Sequence, residues 1–361
     1  MASNTVRIAV LPGDGIGTEV TEATLGVLEP LAKRHGIGIS TETLAAGAFH
    51  YQATGDAFPE ASFRAAEAAD AILLGAMGWP GIRKADGTEI APQLDLRFRL
   101  KLYAGVRPVR AIPGVPVALA DPRAAGIDFV LIRESTEGLF HSSGKGLVTE
   151  DYAEETLRIT RATTEKLSRF AFRLAERRAA KRGRKGRVTL VDKANVFRAF
   201  AFMRGVFDGV AREFPAVESA HHYVDAMALD LVRHPWAFDV LPTENMFGDI
   251  LSDLAAGLVG GMGFSPSADI GDDHAVFQPA HGTAPDIAGK GIANPTATLL
   301  SAAMMLDWLA ARGAGQGFAD AAAELEAAVD GAFAAGLRTA DIGGPDGTAA
   351  VARAVAARFG A

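Results

Sequence analysis

Short apolar runs of the kind that form buried strands recur along this chain, each followed by glycine, charge or a helix signal. They are Arg7 to Leu11, Ala71 to Leu74, Phe129 to Ile132, Val188 to Val191 and Phe238 to Leu241. A long amphipathic pattern from Thr18 to Lys33 follows the first run. Apolar-rich helices are predicted over Thr296 to Ala311 and Ala319 to Ala335, with Gly313 and Gly336 as stop signals. Alternating strands and helices bury both faces of a sheet by layering helices on it, so the pattern predicts an α/β fold. No repeat or low-complexity segment interrupts it. At 361 residues and 49% apolar, the chain can bury a large core and should divide into about two domains.

The composition excludes several classes. There are no cysteines, so disulfides, iron–sulfur clusters and thiolate zinc sites are ruled out. The net charge of −7 argues against a nucleic-acid surface, and the one basic cluster, Arg177 to Arg187, is read as the solvated end of a helix. No apolar run approaches the roughly 20 residues of a membrane span. Met1 to Thr5 has neither a signal h-region nor a basic amphipathic transit pattern, so a cytoplasmic location is expected.

Chemistry enters with Phe247-Gly248-Asp249-Ile250-Leu251-Ser252-Asp253. Two carboxylates four residues apart lie one above the other on a helix. Hard anionic oxygens so held suit Mg²⁺ or Mn²⁺, with positions left open for water or substrate. Such a pair on a solvated face is commonplace, but here its flanks are apolar. Two further segments supply complementary groups: Val191-Asp192-Lys193-Ala194-Asn195, and the run from His281-Gly282-Thr283-Ala284-Pro285-Asp286-Ile287 to Asn294-Pro295.

Together with Tyr223-Val224-Asp225-Ala226-Met227 and Leu11-Pro12-Gly13-Asp14-Gly15-Ile16-Gly17, these segments closely resemble the β-decarboxylating dehydrogenases. That family includes 3-isopropylmalate, isocitrate, homoisocitrate, tartrate and D-malate dehydrogenases. The resemblance runs from about Val6 to the C-terminus, with the motifs in the family's order and spacing. It implies two α/β domains with the active site in the cleft between them, rather than a Rossmann fold. The expected division is a discontinuous cofactor-binding domain, 1–102 plus 260–361, and a substrate, metal and dimerisation domain, 103–259. The glycine loop supports the distinction: its spacing is Gly-x-Gly-x-Gly, not the Gly-x-Gly-x-x-Gly of a dinucleotide fingerprint.

The resemblance also implies roles. Asp249 and Asp253, with Asp225 from a partner subunit, would hold the divalent metal. Lys193, also from the partner, would take the 2-hydroxyl proton, with Asp225 tuning it. Substrate carboxylates call for planar cationic forks, and Arg97, Arg107 and Arg133 match the family's three substrate arginines; Arg99 and Lys101 are read as solvent-facing. The cofactor would lie on His281, Gly282, Thr283, Ala284, Pro285, Asp286, Ile287 and Asn294. Asp286 can accept both adenosine-ribose hydroxyls but would repel a 2′-phosphate, which selects NAD. NADP-using members resemble Lys-Tyr where this chain has Asp286-Ile287. A site built from two subunits implies a homodimer.

One segment divides the two lines of reasoning. From Gln93 to Leu102 apolar residues alternate strictly, which reads as a strand. The family places a helix there, and as an extended chain Arg97 and Arg107 would stand over about 30 Å apart, so a helix is expected. Two positions depart from the family. Gln278 stands where glutamate is usual in Phe-Glu-Pro. Phe140 stands where a tyrosine protonates the enol, and phenylalanine has no proton to give. Water, His141 or a lysine could serve in its place; a non-catalytic regulatory subunit is the competing reading, although the metal and lysine positions are intact. Substrate choice rests on Gln93 and Leu94, one polar and one apolar, and on Val196, which matches the valine that packs on the isopropyl group. A 3-isopropylmalate-like substrate is expected, with tartrate or D-malate and isocitrate or homoisocitrate as alternatives.

Overall fold

Ten strands of this chain form one sheet whose two wings are parallel and whose middle is antiparallel. The computed structural model describes residues 5–360; Met1 to Asn4, part of the segment read for targeting, lie outside them. The strands are β1 (Val6–Gly13), β2 (Ile39–Thr43), β3 (Ala71–Ala76), β4 (Ala104–Arg110), β5 (Asp128–Glu134), β6 (Leu147–Val148), β7 (Ala153–Glu154), β8 (Arg187–Asp192), β9 (Glu218–Tyr223), β10 (Val240–Thr243), β11 (Pro266–Ile270) and β12 (Ala275–Pro279). The sheet order is β2-β1-β3-β12-β11-β4-β5-β10-β8-β9, while β6 and β7 pair separately. Pairing is parallel from β2 to β12 and from β5 to β9. It is antiparallel through β12, β11, β4 and β5. Parallel neighbours need crossover helices and so are covered on their faces. The antiparallel middle is where the two wings meet.

The long helices form where the sequence placed them. Ile16–His35 ends on Gly36 in the left-handed conformation. Thr296–Leu309 is followed by a π-type turn containing Gly313, and Gln316–Ala334 runs to the turn at Gly336. Period reading alone fails at Gln93 to Leu102: Pro92–Arg99 is helical. Leu96, Leu100 and Leu102 are buried as an inward strand face would be, but Arg97 is also buried while apolar Phe98 is exposed. The alternation breaks because Arg97 has a buried anion to meet. Arg99 and Lys101 face solvent, with the Arg99 guanidinium stacked on Phe63. The basic cluster requires a correction. Arg178 and Arg182 are not solvated but clasp Asp239 at 2.8 and 2.9 Å and also pair with Asp128. Those pairs tie the helix Arg161–Arg182 across β5 and the approach to β10.

The apolar core has three main bodies. The largest joins strands of both wings to the helices Thr296–Leu309 and Gln316–Ala334. A second gathers Phe129, Leu131, Leu241 and Leu251 beneath the helix Asn245–Leu258, and a third gathers Leu11, Phe63, Leu74 and Leu96. Among the described residues no helix is long and apolar enough to cross a membrane.

Candidate functional site

The four antiparallel strands bring polar side chains to one region: Arg107 from β4, Arg133 from β5, Gln278 from β12 and, from β11, Ser267 at the cavity and Asp269 buried beside it. Directly paired residues of antiparallel strands share a face, and Asp269, Gly105 and Arg133 form one row across β11, β4 and β5. Gly105 leaves the middle of that row open. A Cβ there would lie 2.6 Å from Ser135 Oγ and 3.1 Å from an Asp269 oxygen. Arg97 reaches the same place from the helix Pro92–Arg99. A cavity of about 210 Å³ lies above, lined by Gln93, the three arginines, Asp249, Asp253, Gln278, His281 and Gly282 among others.

The three guanidiniums are buried, each less than a tenth exposed. Arg97 Nη2 bonds Asp269 Oδ2 at 3.0 Å, and Arg107 Nη2 stands 3.6 Å from Asp269 Oδ1. Arg133 donates twice to Asn245 Oδ1, at 3.2 and 2.8 Å, and pairs with Asp249. Burial lowers the Arg107 and Arg133 pKa values, Arg133 to about 10, with Asp269 and Asp249 opposing the fall. Arg133 therefore remains charged at neutral pH. Burial works to raise Asp269, but the charges of Arg97 and Arg107 prevail and hold it below the ordinary aspartate range.

Asp249 and Asp253 come from the helix Asn245–Leu258, whose N-terminus Glu244 caps by accepting from the Met246 and Phe247 amides. The four-residue spacing puts both carboxylates at the cavity. Burial, then the neighbouring Asp249 charge, raises the Asp253 pKa, and the charges of Arg107 and Arg133 oppose the rise. Gly248 to Asp253 thus serves two faces at once. Phe247, Ile250 and Leu251 line a different, mostly apolar cleft of about 380 Å³, together with Lys193, Phe197, Val224, Asp225 and Ala228.

That cleft is where Lys193 and Asp225 are found. Their side chains meet at 2.5 Å, and the Lys193 hydrogen bond lowers the Asp225 pKa. Neither lines the arginine cavity within one chain, and among the described residues no cluster of three or more acidic or histidine groups could hold a metal alone. Phe197 and Ile250, which line this cleft, and Val196 and Leu229, next in sequence to its lining residues Phe197 and Ala228, are exposed by more than half their surface. The single chain therefore brings Arg97, Arg107, Arg133, Gln93, Asp249 and Asp253 together and leaves Lys193, Asp225 and Val196 apart. Leu94 is half-buried and does not line the cavity.

The loop from His281 to Asn294 borders the cavity at its start. His281 Nδ1 lies 2.9 Å from the Gly282 carbonyl, and burial lowers the ring pKa. Ala284 takes a positive φ of 38°, which costs a non-glycine residue on the order of 1–3 kcal/mol and is kept only where the surroundings fix it. Thr283 is buried, whereas Pro285 and Asp286 are exposed; Ile287 is half-buried in a small cluster with Ile16 and Val20. Asn294 donates to Asp341 at 3.0 Å and caps the Thr296 amide. The glycine loop of β1 braces this segment. The Ile16 amide donates to the Thr283 carbonyl at 3.0 Å, and a Cβ on Gly15 would stand 2.2 Å from that oxygen. Asp14 is consumed by the amides of Ala48, Phe49 and Gly78.

Phe140 sits on a short 3-10 turn, Leu139–Ser142, edge-on to the Phe98 ring at 5.4 Å. Sequence reading missed Asp269, Asn245 and Ser135. A signal for Asp269 was present: a carboxylate inside Pro266–Ile270, where all five residues are buried, needs a buried cation.

Comparison with known proteins gives the class and then the family. In fold, the chain superposes on an isocitrate dehydrogenase from Methylococcus capsulatus with a TM-score of 0.83 at 36% identity, covering 98% of this chain and 99% of that one. It superposes on a beta-decarboxylating dehydrogenase from Thermococcus kodakarensis with a TM-score of 0.78 at 37% identity, covering 98% and 96%. The decarboxylating dehydrogenases are thus the class that fold and comparisons define. In sequence it is 42% identical to a 3-isopropylmalate/3-methylmalate dehydrogenase from Methanocaldococcus jannaschii, over 98% of each chain. It is 43% identical to a 3-isopropylmalate dehydrogenase from Hahella chejuensis, over 97% and 98%. The family model for isocitrate/isopropylmalate dehydrogenase matches residues 7–355, and the chain belongs to that family.

Proposed function

We propose that this enzyme is an NAD- and divalent-metal-dependent dehydrogenase that oxidises the 2-hydroxyl of a 3-substituted malate and releases the β-carboxylate as CO₂, with 3-isopropylmalate or a close analogue as substrate. The observation that carries the reading is the set of three buried guanidiniums facing two crowded carboxylates in one small cavity. Three arginines against Asp249, Asp253 and Asp269 leave no net charge; a divalent cation would add two positive charges, matching a dicarboxylate dianion.

The residues present fit both groups. Asp249 and Asp253, joined by Asp225 of a second copy, offer the hard oxygen donors that Mg²⁺ or Mn²⁺ takes. The segment His281, Gly282, Thr283, Ala284, Pro285, Asp286, Ile287 and Asn294 would hold NAD, with exposed Asp286 accepting from the ribose hydroxyls. When bound, NAD⁺ supplies the acceptor for the C2 hydride and the divalent ion supplies Lewis acidity at the C2 oxygen.

The chain's own groups do the remainder. Arg97, Arg107 and Arg133 bind the two carboxylates and fix C2 and C3 in the cavity. Lys193 of one subunit takes the hydroxyl proton of substrate held by the other, and Asp225, 2.5 Å away, steadies its ammonium afterwards. Loss of CO₂ leaves an enol, and C3 takes a proton to give the 2-oxo acid, so the overall reaction releases no net proton. Phe140 cannot be that donor. The apolar faces around Val196, Phe197 and Ile250 would be covered in a homodimer, which makes each site complete. The same reading assigns residues 1–102 and 260–361 to a cofactor-binding domain and 103–259 to a substrate and dimerisation domain. The acidic balance of the chain favours a cytoplasmic enzyme of small molecules, without nucleic-acid or membrane partners.

One observation favours a second substrate. Gln93 lines the cavity with its Oε1 buried and unpaired, whereas Leu94 does not reach it. A substituent bearing a hydrogen-bond donor at C3, such as the hydroxyl of tartrate, would satisfy that oxygen. Assaying a panel of 2-hydroxy-3-carboxy acids with NAD⁺ and Mn²⁺ separates the two readings. Preference for an apolar C3 group supports the first, and preference for a polar one the second. No NADH from any acid overturns both.

A further inference from the structure

Asp269 does not line the cavity, yet it touches three residues that do: Arg97, Arg107 and Gln278. It is 2% exposed, and every neighbour of its carboxylate is a donor. Oδ2 accepts from Arg97 Nη2 and from Gln278 Nε2, both at 3.0 Å. Oδ1 accepts from Ser135 Oγ at 3.3 Å and faces Arg107 Nη2 at 3.6 Å. Without this anion, two buried guanidiniums would stand side by side uncompensated and repel. With it, each fork is pinned from behind, and Arg97 and Arg107 keep a fixed spacing toward the cavity.

Gln278 completes the arrangement. Its amide donates to Asp269 from the adjacent strand β12. A glutamate at 278, the residue usual there in proteins this chain resembles, would put a second carboxylate within hydrogen-bond distance of Asp269, and two such anions cannot both stay charged. One carboxylate on this face bridges the arginine pair; a second at hydrogen-bond distance from it would be repelled by the first. Glutamine at 278 and aspartate at 269 are therefore a matched choice.

Resting on the reading of the cavity as the site for a dicarboxylate, we propose that Asp269 is the positioning residue of this site. It sets the spacing of Arg97 and Arg107 and so the enzyme's affinity for a dicarboxylate, and Gln278 is the partner that permits a carboxylate at 269 rather than at 278.

The test compares wild type with Asp269→Asn, Gln278→Glu and the double variant, each first checked for folding by circular dichroism. KM is measured for the acid preferred in the panel and for NAD⁺. Each single variant is expected to raise the acid KM by about tenfold or more, with the NAD⁺ KM changed less than about twofold. The double variant returns the carboxylate to the same face one strand over, and its acid KM should fall back to within about threefold of wild type. A double variant no better than the worse single overturns the proposal, as does a parallel rise in NAD⁺ KM, which marks general damage. Should Asp269→Asn fail to fold, Gln278→Glu is compared with the double: tighter acid binding in the double supports the pairing, and equal or weaker binding overturns it. Calorimetric binding of malonate to the same four proteins separates the two levels of inference. If no acid is turned over but malonate binds wild type and the double more tightly than the singles, the function reading fails and the role of Asp269 stands. Failure of wild type to bind malonate overturns both.

Discussion

Mixing two inactive variants of this enzyme should regenerate activity if its sites are built from two chains. Lys193→Ala removes the proposed base, and Asp249→Asn removes a carboxylate from the arginine cavity. Both side chains are reached from open clefts, Asp249 being 59% exposed, so neither change should disturb folding. The geometry sets the expected recovery. Within one chain Asp249 and Lys193 line different cavities, and the helix Asn245–Leu258 stands between them, turning its carboxylates to one and Ile250 to the other. In a heterodimer of the two variants, one site then has both residues intact and the other has neither. Random reassortment of equal amounts makes about half of all dimers heterodimeric, so the mixture should reach about a quarter of the wild-type rate. Loss of a general base costs roughly 10²–10⁴-fold, so Lys193→Ala alone should stay at or below about 1%, and Asp249→Asn, which removes a carboxylate proposed to hold the metal, should be inactive. The assay is NADH formation after reassortment, with exchange verified by native mass spectrometry of differently tagged chains. Verified exchange without recovery would place Lys193 in its own chain's site and refute the two-chain argument.

The remaining expectations concern single positions. Asp286 would oppose a 2′-phosphate, so kcat/KM should favour NAD⁺ over NADP⁺ by about 100-fold or more, on the order of 3 kcal/mol; equal values sink the cofactor assignment. Asp253→Asn should abolish turnover with an unchanged circular dichroism spectrum, and exhaustive chelation should do the same to wild type, whereas full activity after chelation would reduce the aspartate pair to a structural feature. Phe140→Tyr should raise turnover on the true substrate or abolish a lag between NADH and oxo-acid appearance. If it slows the enzyme while His141→Ala cripples it, the donor has moved to His141. Glu244 is buried and its pKa is raised by that burial, so its charged form is penalised in the native state. Glu244→Gln keeps an acceptor for the cap and should raise Tm at neutral pH. The advantage should shrink as pH falls through the raised native pKa, where wild type sheds the penalty by protonation; an advantage that grows on acidification contradicts the assignment.

Local pattern and residue chemistry determined the architecture and much of the candidate site. Runs such as Ala71 to Leu74 and Val188 to Val191 became central strands because an apolar segment of that length has few other ways to lose its surface to water. Asp249 and Asp253 met at one cavity because helical spacing leaves no choice. Five strands of the large sheet went unread, and three of them, β4, β11 and β12, are ones whose side chains answer to partners distant in sequence. Proline in β4 and aspartate in β11 are poor strand residues by propensity, and the polar Arg107, Asp269 and Gln278 are held in their strands because each meets a complementary group from another strand. The same cause explains the helix at Pro92–Arg99, where a buried ion pair with Asp269, 172 residues away, outweighed an alternating pattern. Tertiary structure alone decided that Arg178 and Arg182 are clasped rather than solvated, that Asp269 stands behind the arginines, and that Lys193 and Asp225 line a different cleft from Asp249. Such facts depend on which strands lie side by side, and strand order is fixed by the free energy of the whole sheet rather than by any segment within it.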